Sequence, residues 1–202
     1  MNPTEILKSE HRVIEQVLNC LETIADECNE QGRLDADSAR EALDFFRTFA
    51  DRCHHGKEEA HLFPAMEAKG FPRDGGPTGV MLHEHETGRQ HVRAMAAAVD
   101  AAASGEPAAL EQFSRHAQGY IGLLREHISK EDHCLFGMAS QVLNAADQEA
   151  LMAKFHHVES EEMGDGTHQR YLDIANRLAD RYRVARAEAA AAHSGCACGH
   201  HG

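Results

Sequence analysis

The chain has 202 residues, a formal net charge of −13, 16 His, six Cys and no Trp. This acidic balance disfavours nucleic acid and anionic membrane surfaces as main partners, because both attract basic patches. The stretch from Met1 to Arg12 lacks the pattern of a signal peptide, and no apolar run approaches the roughly 18 residues that span a bilayer. We therefore expect a cytoplasmic protein with reduced thiols, monomeric or a small homo-oligomer, and with no membrane or nucleic-acid partner.

Apolar residues recur at helical spacing in four long segments. The first helix begins at the Asn2-Pro3 cap signal, the second at Ser38, the third after the Gly/Pro-rich connection 69–79, and the fourth near Pro107. Short connections make successive helices antiparallel neighbours, so the sequence predicts an all-α four-helix bundle. We assign this bundle to residues 1–143, a C-terminal helical extension to residues 144–192, and a flexible Cys/His-rich tail to residues 193–202.

One ten-residue sequence motif occurs twice in the chain. The stretch HHGKEEAHLF begins at His54, and its relative HISKEDHCLF begins at His127. The first and third helices are also related. Each carries a Glu-His pair, ending at His11 or His85, and the apolar residues of each helix have the same spacing relative to this His. The sequence therefore contains two helix pairs, each with a lone His followed by His-x-x-x-Glu.

The repeated His and Glu residues all fall on apolar helix faces. A lone His on such a face is usually a hydrogen-bonded core residue, but the duplicated placement favours metal ligation. Buried carboxylates need a counter-charge, and imidazole with carboxylate favours iron, manganese or zinc over calcium or magnesium. Two carboxylates suffice to bridge two ions. We therefore predict a non-haem di-iron centre with these ligands: His11, His54, Glu58, His85, His127 and Glu131.

The chain carries the order His, His-x-x-x-Glu, His, His-x-x-x-Glu, and a KEExxLF-type motif overlaps each His-x-x-x-Glu. From His11 to about Phe136 this pattern resembles the bacterial branch of the hemerythrin-like (HHE cation-binding) proteins. The resemblance implies an up-down-up-down four-helix bundle that holds two iron ions with an oxo or hydroxo bridge. It also implies reactivity with a small diatomic ligand, dioxygen or nitric oxide, or with peroxide. The six predicted ligands match the pattern position by position, with Glu58 and Glu131 bridging.

Two positions depart from the oxygen-carrying hemerythrins. Those proteins have His-x-x-x-His on the third helix, whereas here Arg89 stands four residues after His85 and Met81 four residues before it, so we expect one iron to lack a protein ligand. They also take an Asp five residues after the fourth-helix His, which keeps Asp132 as an alternative to Glu131, as an additional ligand or as an outer-shell residue, although the repeat selects Glu131. Three functions stay open: an oxygen or nitric oxide binder, a peroxide-decomposing or nitric-oxide-reducing enzyme, and a protein that stores or transfers metal as cargo.

Other His residues have weaker patterns. His61 forms Glu-x-x-His with Glu58, the spacing of ferritin-like di-iron proteins, and is an alternative ligand or outer-shell residue. We expect His55 and His83 to face solvent, because they are out of phase with the predicted ligands on an α-helix.

The tail offers soft ligands that suit zinc or copper(I), in a segment without apolar residues to order it. Its role is either a transient metal or redox site or none, and the residues concerned are Cys196, Cys198, His200 and His201.

Overall fold

The computed structural model describes residues 2–164 and 166–187, and every regular element within these ranges is helical. The first half of the chain forms two helical rods. The first rod is α1 (Pro3–Gln31). The second rod begins with α2 (Ala36–Phe45), continues through π-helical segments (Phe46–His55, Glu58–Leu62) and ends with α3 (Phe63–Glu67). The second half has α4 (Pro77–Ala103) and α5 (Pro107–Lys130), which continues through a π-helical turn (Glu131–Leu135) into α6 (Phe136–Val142). The extension has α7 (Ala145–His157), a further π-helical turn (Val158–Glu162) and α8 (Thr167–Tyr182).

Side chains in the sequence fix several helix ends. Asn2 accepts a hydrogen bond from the Glu5 N–H while the Glu5 side chain accepts one from the Asn2 N–H, a capping box that starts α1. Asn144 and Asp147 start α7 in the same way. Gly32 ends α1 with φ +65°, a left-handed conformation that favours glycine.

The four rods form the predicted bundle. Helix α1 contacts α2 and α5, and α4 contacts α2 and α5, so each rod has two neighbours. The expectation of an all-α bundle is confirmed. Across the ranges described, no helix has both the length and the apolar character needed to cross a bilayer.

Two apolar cores divide the bundle along its length. The larger core includes Ile14 of α1 and Phe49 of the second rod. The smaller core includes Leu7 of α1 and Phe63 of α3. Leu7 and Ile14 of α1 lie two turns apart in different cores, and His11 lies between them. The predicted ligands therefore lie in a polar layer between two apolar cores.

The extension helices pack on the bundle. Tyr171 of α8 donates a hydrogen bond to Asp44 of α2 at 2.9 Å, and Tyr182 donates one to Asp35 at 3.0 Å. Phe155 of α7 joins the smaller core. The predicted tail site, which comprises Cys196, Cys198, His200 and His201, lies outside the described residues.

Candidate metal centre

The six predicted ligands converge in the layer between the two cores. His11, Glu58 and Glu131 are 0% exposed. The Glu58 carboxylate faces one His of each repeat half, with Oε1 at 3.7 Å from His54 Nε2 and Oε2 at 3.5 Å from His85 Nε2. Glu58 therefore lies between an imidazole of the first half and one of the second.

Glu131 has the same arrangement with the other two imidazoles. Its Oε2 lies 3.2 Å from His11 Nε2 and 3.3 Å from His127 Nε2. His85 and His127 are themselves close, with 3.1 Å between their Nε2 atoms. Both carboxylates thus face one His from each half, which is the placement that a residue bridging two cations requires.

The side chains form two groups in which one ligating atom from each residue lies within 4.8 Å of the others. One group is His11, His54, Glu58 and Glu131. The other is His55, Glu58, His85 and His127. Glu58 belongs to both groups, so the two candidate metal positions share a ligand.

The inner atoms of the site lack hydrogen-bond partners. The Nε2 atoms of His11 and His54, and all four oxygens of Glu58 and Glu131, are buried without one. Such groups destabilise a fold unless a partner satisfies them. A cation bound among these atoms would supply that partner, so the residues present fit a metal centre.

The buried charges shift the pKa values of the site strongly. Burial and the neighbouring Glu131 raise the pKa of Glu58. Burial opposes ionisation of Glu131 too, but His127 and His11 hold its pKa well below the usual value. Burial alone would lower the pKa of His127, yet Glu131 and Glu84 raise it to about 9. The metal-free site therefore retains protons that a bound cation would displace.

Without metal, the protein is expected to lose stability as the pH rises from 6.5 to about 9. Folded His127 keeps its proton up to about pH 9, whereas the unfolded residue releases it near 6.5. The folded state binds more protons in this window, so the free energy of unfolding falls, by about 3 kcal/mol. Urea titrations of the metal-free protein at the two pH values measure the fall. A much smaller fall is expected in His127→Gln, and an equal fall would contradict the assignment.

A second layer of carboxylates orients the imidazoles. Each Nδ1 lies within hydrogen-bond distance of a carboxylate oxygen, and because a carboxylate only accepts, the Nδ1 carries the proton and leaves Nε2 facing inward. This is the arrangement of metal-ligating His residues. The pairs are His11–Asp132 at 2.8 Å, His54–Glu10 at 2.9 Å, His85–Glu59 at 2.7 Å and His127–Glu84 at 2.9 Å.

This outer layer follows the sequence repeat, although among its residues only Asp132 was predicted as a possible outer-shell residue. Glu10 immediately precedes the predicted ligand His11 and pairs with His54 of the same half. Glu84 immediately precedes the predicted ligand His85 and pairs with His127 of the same half. Glu59 and Asp132, which immediately follow a predicted bridging Glu, each support a His of the opposite half. The Glu-His pairs and the acidic pairs after Lys57 and Lys130 were the signal that could have identified these four residues.

The structure favours Glu131 over Asp132 as the inward carboxylate. Glu131 is fully buried between two imidazoles, whereas Asp132 pairs with His11 Nδ1 and with Arg12. Asp132 therefore has the outer position that the sequence left open for it. His61 is only half-buried and belongs to neither group of candidate ligands.

Substitutions at the two acids are expected to differ in their effect on metal. Glu131→Gln should remove at least one of the metals, because Glu131 faces both halves. Asp132→Asn should keep both metals with an affinity reduced about 10-fold to 100-fold, which is the usual effect of losing an outer partner. Metal titration of both variants checks this, and loss of metal in Asp132→Asn alone would reverse the assignment.

A buried lysine connects the site to the extension. Lys57 is 0% exposed and its Nζ contacts Glu10 and Glu159, the latter from the π-helical turn after α7. Burial opposes ionisation of Glu10, but Lys57 and His54 lower its pKa to about 2. Glu10, Glu159 and His168 form a third group of possible ligands. The Lys57 ammonium already supplies a cation to the two carboxylates of this group.

Removing this ammonium should destabilise the fold strongly. In the metal-free protein, Lys57→Met leaves two carboxylates without their shared cation and should lower the free energy of unfolding by about 3 kcal/mol. Lys130 has the equivalent place in the second half but is 42% exposed at its side chain. Lys130→Met is therefore the matched control, with an expected loss below about 1 kcal/mol. Urea denaturation of both variants measures the difference, and equal losses would contradict the account.

The expectation for His55 was wrong. His55 is 5% exposed, and its ring stacks on His85 with 3.8 Å between centroids. The helix is π-helical from Phe46 to His55, and its i to i+5 hydrogen bonds add a residue to each turn, which changes the phase assumed for an α-helix. His83 is exposed, as expected.

A cavity of about 240 Å³ opens beside the second group of ligands. Its lining includes Phe46, Gly88 and Tyr120, together with His55 and His85 of that group. Arg89 also lies in this wall. A small molecule in this cavity would lie against the candidate metal centre.

Arg89 stands four residues after His85, one of the two positions at which the sequence comparison expected and did not find a further His, the other being Met81. Its Nε donates to Asp51 at 2.9 Å, and its Nη2 donates to Glu59 at 2.6 Å. Glu59 in turn supports His85, so Arg89 stabilises the outer layer of the site.

Fold and site together define a helical-bundle protein with buried His and Glu clusters that suit metal cations. The family model of the hemerythrin HHE cation binding domain matches residues 2–139. The chain therefore belongs to this family of metal-binding proteins.

Three curated mycobacterial proteins are similar to the chain. They are the uncharacterized proteins Rv1995 and MT2051 of Mycobacterium tuberculosis and Mb2018 of Mycobacterium bovis, each 25% identical over 169 residues. The match covers 84% of this chain and 66% of each relative, so the chain spans slightly less than two thirds of their length. No solved structure gives a significant match.

Proposed function

We propose that the protein is a non-haem di-iron protein that binds and reacts with dioxygen, peroxide or nitric oxide at a carboxylate-bridged iron pair. The observation that supports this most directly is the placement of Glu58 and Glu131. Each of the two carboxylates faces one imidazole from the first repeat half and one from the second. His11 and His54 would hold one iron. His85 and His127 would hold the other.

The donor set suits iron. Both groups consist of imidazole and carboxylate, which bind iron, manganese and zinc in helical bundles, and neither contains a Cys. An iron pair supplies two adjacent redox-active Lewis acids for a small oxidant. The outer carboxylates fix the orientation of each imidazole, and the two apolar cores enclose the layer from both ends.

The cavity supports reaction with a small ligand over metal storage. Its floor includes His55 and His85, so an external molecule can approach the second group without opening the bundle. The ligand residues themselves are buried and backed by ion pairs, which suits a resident metal rather than a cargo that must leave quickly. Storage or transfer of metal is the alternative, and the same experiment separates it.

Rapid mixing followed by absorbance tests the proposal. Anaerobic protein loaded with iron(II) is mixed with dioxygen, hydrogen peroxide or nitric oxide. At least one of the three should react faster than with free iron. Reversible ligand-dependent spectra without turnover indicate a binder, and sustained turnover indicates an enzyme. Iron taken by a chelator within seconds, with no such reaction, would indicate cargo and would contradict the proposal.

A matched pair of glycine variants tests the route through the cavity. A Cβ at Gly88 would lie 3.3 Å from the Tyr120 ring, so Gly88→Val narrows the cavity. Gly122 on α5 is exposed, and a Cβ there meets nothing within 4 Å. Gly88→Val should slow the reaction at least about tenfold with unchanged iron content, whereas Gly122→Val should react like the wild type.

A further inference from the structure

His55 has the surroundings of a metal ligand although it lies one residue from a predicted one. It groups with Glu58, His85 and His127, with one ligating atom from each within 4.8 Å of the others. Its ring is nearly parallel to that of His85, at an interplanar angle of 13°. Its Nδ1 is buried without a hydrogen bond, at 3.5 Å from Asp51 Oδ1.

The residues around His55 repeat the pattern seen at the other four imidazoles. Asp51, one turn earlier on the same helix, gives His55 a carboxylate on its Nδ1 side, as Glu59 does for His85. Arg89 donates to both Asp51 and Glu59, so one guanidinium holds the carboxylates behind both stacked rings. Arg89 thus acts through Asp51 on an imidazole that the sequence repeat did not mark as a ligand.

The second repeat half has no counterpart to His55. Ile128 stands at the equivalent position, immediately after His127, and is buried in the larger apolar core. The group around His11 and His54 therefore contains two imidazoles, whereas the group around His85 and His127 contains three. The two candidate metal positions differ in donor chemistry even though the sequence repeat is nearly symmetric.

We infer that His55 is a third imidazole ligand of the metal held by His85 and His127, and that the two metals of the centre are inequivalent for this reason. The inference rests on the proposed di-iron function and adds to it a ligand that the repeat does not supply. With this ligand, the metal held by His85 and His127 has a third imidazole although no His stands four residues before or after His85. The iron with fewer imidazoles becomes the one between His11 and His54.

The test compares two phenylalanine variants loaded with iron(II). His55→Phe keeps an aromatic ring to stack on His85 but has no ligating nitrogen, and His83→Phe changes an exposed residue nearby. In His55→Phe one of the two irons should pass to a chelator at least about tenfold faster than in the wild type. His83→Phe should release both irons at wild-type rates. Equal release from all three proteins would overturn the inference.

Two further measurements keep the outcome decisive. If His55→Phe does not fold, His55→Ile introduces the residue of the second half, and the same release rates are compared. The Mössbauer spectrum of iron-57 in the wild type should show two iron environments of equal area, and a single environment would overturn the inference. A wild-type protein that binds fewer than two irons would instead contradict the proposed function.

Discussion

Glu58→Gln is expected to reduce the iron bound from about two ions per chain to less than one. Glu58 is the residue that belongs to both groups of candidate ligands, and its two oxygens face imidazoles of different halves. A neutral amide in its place removes the shared negative charge from both metal positions. Loss at one position should therefore weaken the other, and the effect should exceed that of removing any single His.

The loss of metal in Glu58→Gln should occur without unfolding. Burial and Glu131 raise the pKa of Glu58, so the ionised carboxylate destabilises the metal-free fold. Metal-free Glu58→Gln should be at least as stable as the metal-free wild type, as measured by circular dichroism during heating. Glu86→Gln, the same change at a residue exposed on α4, is the control and should keep all its iron. Two tightly bound irons in Glu58→Gln would contradict the assigned centre.

Removal of metal from the wild type is the second change with a large expected effect. The buried carboxylates would lose their counter-charge, and the Nε2 atoms of His11 and His54 would be left without a partner. Metal present at about a thousand times its dissociation constant contributes about 4 kcal/mol to stability. For a chain of this size, that corresponds to a fall in Tm of roughly 10 °C.

Calorimetry of loaded and metal-free protein in the same buffer measures this fall. Restoring iron should restore Tm, which separates reversible metal loss from damage during chelation. A tail-substituted variant with Ser at Cys196 and Cys198 should show the same shift, because the stabilising metal lies in the bundle. An unchanged Tm after complete metal removal would contradict the role assigned to the buried layer.

Periodicity and the internal repeat were enough to predict the bundle and four of the imidazoles that are buried between its two cores. Each of His11, His54, His85 and His127 stands on an otherwise apolar helix stripe, and such a stripe packs toward the interior of a bundle. The repeat also selected Glu131 over Asp132, and the structure buries Glu131 between two imidazoles. The spacing of His and Glu residues along each helix predicts which of them meet, because all four rods pass through the same layer of the bundle.

The residues that the sequence did not identify depend on contacts between helices. Glu10 supports His54 from another rod, and Lys57 reaches an acid of the extension, so neither role follows from spacing within one helix. His55 was misassigned for a different reason. An α-helical period was assumed where the chain is π-helical, and the added residue per turn brings both His54 and His55 into the buried layer.

Anomalous diffraction from crystals of the iron-loaded protein at the iron edge tests the central claim most directly. The account predicts two strong anomalous peaks per chain in the layer between the apolar cores, one beside His11 and His54 and the other beside His85 and His127. Glu58 and Glu131 should both contact the two peaks. A single peak, a peak only at the zinc edge, or iron bound solely outside this layer would contradict the assignment of a di-iron centre.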